Sequence, residues 1–359
     1  MSPLFIPGPV DVAPEVASAQ MQEMLPHRSS AFEEIFHRAE ANARKVFQTK
    51  SRVFLLTASG TGFQEATVRN FAQEKILVCV NGAFSERWRQ VAQTNGKQVD
   101  VLDVDWRQPV TPEIVAEVLE KDDYEMVAVV HNETSTGMLN PVAEIAVAVQ
   151  VNNPDTLICV DAVSSLGGAP LEMDSWGLDV VFTSSQKALA LPPGLALCAV
   201  SDRALAKAEQ VKQRGWYFDF LRLEKHRRNN STPTTPPIQL IYALDLQLKR
   251  ILEEGLEARV ARHQKMGQTT RAWATGRGFT LFAPQGYRSP TVTAIENTLE
   301  IDLAELTAIL KNRGMVIASG YGPLKKSTFR IGHMGEITQP DLEALLAAIN
   351  DYLDRRDSE

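Results

Sequence analysis

The sequence predicts an α/β protein. A large domain is expected on a mostly parallel, seven-stranded sheet flanked by helices, with a smaller C-terminal α+β domain after it. Three observations lead there. Short, nearly continuous apolar runs alternate with helical periodicity between residues 53 and 200, as strands buried on both sheet faces require. The residues able to do chemistry fall just after those runs, at the carboxyl ends of strands, where such sheets bind ligands. After Gly278 the texture changes to strands interleaved with two helices, an α+β pattern. The 359 residues suffice for two sizeable cores. The expected division is an N-terminal arm over 1–20, a large domain over 21–254 and a small domain over 255–359.

The elements follow in order. Pro7-Gly8-Pro9 suits neither a helix nor a central strand, so it reads as an extended arm. Helical periodicity begins near Pro14 and resumes over 31–47, where Phe32, Ile35, Phe36, Ala39, Ala43 and Val46 share one face. Ser29 or Ser30 is placed to cap that helix. Strands are expected over 53–57, 76–80, 99–104, 126–131, 157–161, 180–183 and 195–200. Helices are expected over 63–73, from about 85, over 112–120 and over 142–151. Residues 229–237 form a polar, proline-rich loop, and a long helix or helix pair runs from 238 to about 274, with Gly255 placed to bend it. Beyond it, strands are expected over 279–283, 291–296, 316–319 and 329–333, with helices over 303–312 and 339–352.

Charge narrows the function classes. Lysine and arginine number 37 against 44 acidic residues, a net charge of −7, which speaks against nucleic acid or an anionic membrane surface as partner. Cys79, Cys159 and Cys198 each lie inside an apolar run and form no CxxC, so they read as core thiols rather than disulfides or zinc ligands. His131 and Glu133 have no third ligand at suitable spacing, so no metal is expected. The first residues carry no basic region before a long apolar run, and no stretch is long enough to span a bilayer. A cytoplasmic protein is the expectation.

The chain is organised around Thr183-Ser184-Ser185-Gln186-Lys187. Lys187 follows a strand and reads as a lysine held to form a Schiff base. Asp161 ends another strand 26 residues upstream, where a buried carboxylate needs a partner such as a protonated pyridine nitrogen. Ser59-Gly60-Thr61-Gly62 joins a strand to a helix, a turn whose amides can hold a phosphate. It matches neither GxGxxG nor GxxxxGK[ST]. The three together describe a pocket for an anionic, nitrogen-heterocyclic aldehyde cofactor.

These motifs carry a resemblance. His131-Asn132-Glu133-Thr134-Ser135-Thr136-Gly137, the run from Val160 to Gly168 and Ser184-Ser185-Gln186-Lys187 resemble the class V aminotransferases, fold-type I pyridoxal-phosphate enzymes. The likeness is greatest to the alanine–glyoxylate/serine–pyruvate group, and it extends from Pro7 to Gly332. It implies pyridoxal 5'-phosphate as cofactor, Lys187 as the covalent anchor and proton carrier, and Asp161 as partner of the pyridine nitrogen. It implies Gly60 and Thr61, with Gln186 nearby, at the phosphate, Phe84 stacked on the ring, and Thr134 beside the ring oxygen. It implies that Thr235 reaches the partner subunit's phosphate, so that a homodimer shares its active sites. Arg330 would clamp the substrate carboxylate, and Gly8 in the arm would border the substrate pocket. Thr232 stands where several relatives have a tyrosine. The implied reaction is transamination of a small amino acid, alanine or serine, with glyoxylate or pyruvate, in ping-pong fashion through pyridoxamine phosphate. Alternatives are an aspartate-type or a 2-aminoethylphosphonate–pyruvate transaminase, or a non-catalytic subunit that keeps the fold.

Overall fold

A computed structural model of the chain describes residues 3–356 and 358. The arm contributes strand β1 (Leu4–Phe5) and helix α1 (Pro14–Ala19). Helix α2 (Ser30–Phe47) is capped by Ser29, whose hydroxyl accepts from the Phe32 amide at 3.3 Å. Phe32, Phe36, Ala39, Ala43 and Val46 are buried along its inner face, and Ile35 is half-buried at the edge.

Then the alternation runs as the apolar pattern requires: β2 (Arg52–Thr57), α3 (Gly60–Phe71), β3 (Lys75–Val80), α4 (Ala83–Thr94), β4 (Gln98–Asp103), α5 (Pro112–Leu119), β5 (Met126–Val130). A short ribbon of β6 (Asn132–Glu133) and β7 (Met138–Leu139) precedes α6 (Val142–Asn152). The series closes with β8 (Leu157–Asp161), β9 (Val180–Ser184) and β10 (Leu195–Val200). Seven of these strands form one sheet in the order β2-β10-β9-β8-β5-β3-β4. β10 runs antiparallel to both of its neighbours and every other pairing is parallel.

Side chains alternate between two cores across this sheet. Val127, Val129, Ile158 and Val160 pack on one side with α2, α6 and helix α9 (Ile238–Glu254). Met126, Ala128, Leu157 and Cys159 pack on the other with α3 and α4. All three cysteines are buried there or in the facing core, and burial pushes the Cys79 thiol up to about 12.

Two helices outside the sequence expectation, α7 (Asp202–Gln210) and α8 (Phe220–Arg227), pack on each other, with α7 against α3 and α8 against the edge strand β2. Ser201 and Asp219 cap them, accepting from the Ala204 and Leu221 amides. Their apolar faces are short, which is why periodicity alone passed over them. The long helical stretch breaks at Gly255, whose φ of 84° ends α9 before α10 (Leu256–Gly276).

A second sheet has the order β1-β13-β14-β12-β11. It is built from β11 (Thr280–Leu281), β12 (Val292–Glu296), β13 (Val316–Ser319) and β14 (Thr328–Gly332), with α11 (Leu303–Asn312) and α12 (Gln339–Arg356) packed on it with α10. The expected strand over 279–283 shrinks to two residues. The arm does more than extend: Leu4 and Phe5 pair parallel to Val316 and Ile317, adding the edge strand of this sheet. The arm then crosses Gly332, where any Cβ would strike the Ile6 carbonyl. Among the described residues no helix is long and apolar enough to cross a membrane.

Candidate functional site

The carboxyl ends of β2, β8 and β9 open into one cleft. It is lined by Gly60, Thr61, Gln64, Phe84, Arg87, Thr134, Asp161, Ser164, Ser184, Gln186 and Lys187, among others. Strand direction explains the convergence: parallel strands deliver their terminal residues to the same edge.

Asp161 is the last residue of β8 and 5% exposed. Its Oδ2 accepts from Gln64 Nε2 at 2.9 Å and its Oδ1 from the Val163 amide at 2.9 Å. Burial raises it from 3.8 to about 6, against the pull of those two hydrogen bonds. Two neutral donors therefore leave room for a cationic partner. Lys187 is half-buried beyond the end of β9, and its Nζ donates to the Pro7 carbonyl of the arm. Burial and the charge of Arg330 lower it to about 8, while Asp161 acts in the opposite sense. Gly8 (φ 109°) passes directly over this side chain; an added Cβ would stand 2.5–2.9 Å from Lys187 Cδ, Nζ and Cε. The Val10 amide donates to the Gln186 carbonyl at 3.1 Å and fixes the arm there.

Helix α3 begins at Gly60, and its N-cap residue Ser59 makes no side-chain capping bond. Its first amides and the positive end of its dipole face the cleft. A Cβ at Gly60 would collide with Val163. Ser184 Oγ and Gln64 Oε1, in the cleft wall, are buried without a partner among the described residues. An anion site at a helix start, a half-satisfied buried carboxylate and a lysine fit pyridoxal phosphate in its three chemically distinct parts.

Arg330, in β14, is 7% exposed. Its Nε donates to the Ser319 carbonyl at 3.0 Å and its Nη1 to the Thr134 carbonyl at 3.1 Å. Among the described residues it pairs with no carboxylate, and burial lowers it to about 10. The Thr134 hydroxyl meets Ser164 Oγ at 3.1 Å, which Asn132 Nδ2 holds at 3.0 Å. Phe84 lines the cleft, with the Tyr321 ring stacked on it at 5.3 Å and the Arg87 guanidinium 4.9 Å from its centroid.

Nine of the ten residues singled out from the sequence gather at or around this cleft. Thr235 does not: it is exposed in the 229–237 loop. Thr232 is buried there, donating to the Thr234 carbonyl at 2.6 Å. Sequence reasoning missed Gln64, Arg87 and Tyr321. Gln64 lies one turn after Gly60 and Arg87 one turn after Phe84, so helical spacing held the signal for both. Tyr321 sits in the loop between β13 and β14, and nothing local marks it.

Glu133 is fully buried, and its carboxylate is taken up by its own neighbours. Its carboxylate accepts from the Phe84 and Ser85 amides at 3.1 and 3.0 Å and from Ser135 Oγ at 2.6 Å. It thus caps α4 from a distant strand and fixes Phe84.

With this geometry in hand, comparison with known proteins is informative. The family model Aminotransferase class-V matches residues 15–345. A soluble hydrogenase small subunit from a Synechococcus species is 35% identical over 98% of this chain and 92% of its own. The L-aspartate–glyoxylate aminotransferase of Paracoccus denitrificans is 34% identical over 94% of this chain and 87% of its own. Among solved structures, a subgroup IV aspartate aminotransferase from Thermus thermophilus superposes with a TM-score of 0.91, at 33% identity, over 98% of this chain and 99% of its own. The chain belongs to the class V aminotransferases, has the fold-type I architecture and is a pyridoxal-phosphate-dependent aminotransferase.

Asp161 sets a pH-dependent cost in the cofactor-free protein. Its folded value, about 6, lies above the ordinary 3.8. The stability tied to it is therefore present below pH 4 and lost as pH rises through 6. Asp161→Asn is expected to stabilise cofactor-free protein at pH 7.5 by roughly 2–3 kcal/mol, and to change little at pH 4. Urea melts at the two pH values check this; an equal difference at both would contradict it.

Proposed function

We propose that this aminotransferase moves the amino group of a small amino acid, alanine or serine, onto glyoxylate or pyruvate in two successive half-reactions. The observation that carries the reading is the convergence of Lys187, Asp161 and the α3 N-terminus in one cleft, with the Arg330 guanidinium beside it. Glyoxylate as acceptor draws further support from the name of the Paracoccus relative.

When bound, pyridoxal phosphate supplies an aldehyde that captures amines and a ring that accepts the electrons of a broken Cα–H bond. The chain's own residues do the rest. The amides of Gly60 and Thr61 hold the phosphate at the start of α3, with Gln186 close by. Asp161 keeps the pyridine nitrogen protonated by pairing with it, which also compensates the carboxylate's burial. Phe84 and Thr134 would flank the ring, and Lys187 would hold the aldehyde. With its Nζ free, Lys187 would take the proton from substrate Cα. A value near 8 leaves a useful fraction of this amine neutral at working pH. Arg330 holds the substrate α-carboxylate with its planar fork, already aimed by the Ser319 and Thr134 carbonyls. Gly8 and its neighbours in the arm wall the substrate side, and the absence of a side chain at Gly8 is what lets the arm pass over Lys187.

The exposure of Thr235 fits a role across a subunit boundary. In this reading the protein is a homodimer and Thr235 reaches the phosphate held by the partner subunit.

Three outcomes test the proposal. Wild-type protein loaded with pyridoxal phosphate should show a visible absorption band that Lys187→Ala loses; a loaded protein without the band would favour a non-catalytic subunit. In a panel of amino donors against glyoxylate, pyruvate and 2-oxoglutarate, Arg330→Ala should raise KM for every carboxylate substrate roughly ten- to hundredfold. An unchanged KM removes Arg330 from the clamp. Thr235→Ala should release cofactor faster on dilution, and a fully active monomer would contradict the shared site.

A further inference from the structure

One buried cation lies outside the lining of the cleft. Arg259, on α10, is 2% exposed, and a charge so far from water must be compensated. Two carboxylates pair with it, Glu254 at 2.6 Å and Glu336 at 3.3 Å. Neither depends on it alone. Arg262 also holds Glu254 at 2.8 Å, and Arg250 also holds Glu336 at 3.0 Å. What the Arg259 guanidinium adds is a set of backbone carbonyls. Its Nε donates to Gly167 at 3.1 Å and its Nη2 to Ala188 at 2.9 Å, with the Gly335 carbonyl 3.5 Å from the same Nη2.

Those carbonyls belong to the segments that follow three residues of the site. Ala188 comes directly after Lys187, Gly167 six residues after Asp161, and Gly335 five residues after Arg330. One planar fork thus gathers the chain leaving β8, β9 and β14. The turn after Lys187 needs such a hold. Ala190 has a φ of 54°, a left-handed conformation that is costly for a residue with a Cβ. The turn closes through the Ala190 amide, which donates to the Lys187 carbonyl at 2.8 Å, and the Leu191 amide, which donates to Ser185 at 3.0 Å. His263, one turn further along α10, adds a second tie. Its Nε2 accepts from the Gly335 amide at 3.1 Å, which leaves Nδ1 to donate to the Arg259 carbonyl at 2.7 Å. Val10 of the arm, Ala188, Ala190, Val292 and Met334 pack around this junction as a small apolar cluster.

We infer that Arg259 positions Lys187 for proton transfer, by seating the strained turn after the lysine against the segment that follows Arg330. This rests on the reading of the cleft as the transamination site. The arm restrains the lysine itself, through the Pro7 carbonyl, and Arg259 restrains the backbone that carries it. Without the fork the turn relaxes toward an ordinary conformation and takes Nζ with it. A displacement of about 1 Å suffices to cost on the order of a hundredfold in rate. Lysine at this position keeps a charge for Glu254 and Glu336, but its single ammonium lacks the rigid fork that reaches Gly167 and Ala188 together.

The test compares wild type, Arg259→Lys and Arg259→Met, each loaded with pyridoxal phosphate, using the best donor of the panel and glyoxylate. The single-turnover rate per bound cofactor should fall roughly ten- to hundredfold in both variants, with KM within about threefold of wild type. A second measurement needs no turnover. Cofactor-free protein mixed with pyridoxal phosphate should develop its visible band roughly tenfold more slowly in the variants, and to the same final absorbance. A purely structural role would lower the melting temperature and the amount of cofactor bound but leave both rates as in wild type; that result in Arg259→Lys overturns the inference, whether or not Arg259→Met folds. Should wild type transaminate no donor, the proposed function fails, and the rate of band formation alone decides on Arg259.

Discussion

A carboxylate buried at the end of a central strand, held only by neutral donors, is the constraint on which this site depends. Asp161 loses most of its hydration and gets back one side-chain amide and one backbone N–H. Such a group is unstable as a charge unless a cation joins it. The nearby lysine does not pair with it, because its Nζ donates to the Pro7 carbonyl of the arm instead. In the proposed reading that cation is the ring nitrogen of the cofactor. Occupancy by the cofactor and stability of the pocket become linked quantities.

The frame around this carboxylate is rigid where the chemistry needs it. Glu133 shows how. It is a second buried carboxylate within the same motif region, yet it is saturated by amides and hydroxyls at the start of α4. The contrast with Asp161 is one of partner number, since both are nearly inaccessible. One carboxylate fixes the helix that carries Phe84 and Arg87, and the other is kept available for a ligand.

Much of this was legible in the sequence. The apolar runs ending in Asp161 and Ser184 located both strand ends that open into the cleft, because buried parallel strands allow few polar residues before their last position. The antiparallel course of β10 was not legible, since a short apolar run reads the same in either direction. Neither were α7 and α8, whose apolar faces are too brief to set a period. The pairing of Leu4 and Phe5 with β13 joins residues more than 300 positions apart, and only the folded chain brings them together. In the site, Lys187, Asp161 and the Gly60 turn announced themselves by residue type and place. Tyr321 did not, because its partners Phe84, Arg87 and Arg330 belong to other elements.

That long-range pairing has a consequence at the lysine. The arm leaves β1 in the small sheet, crosses Gly332 two residues beyond Arg330, and then offers the Pro7 carbonyl to Lys187 Nζ. Three residues on, Val10 is bonded to Gln186 of the large sheet's loop. One stretch of seven residues, Leu4 to Val10, thus ties the sheet bearing Arg330 to the sheet whose strand β9 leads into Lys187. The distance between Arg330 and Lys187 is set by two cores and one strap rather than by either core alone. In the proposed reading, a substrate held by Arg330 presents its Cα to Lys187 at that distance. Positioning of this kind accounts for a large share of catalytic barrier lowering, and in the proposed reading it depends on the arm as well as on the two sheets.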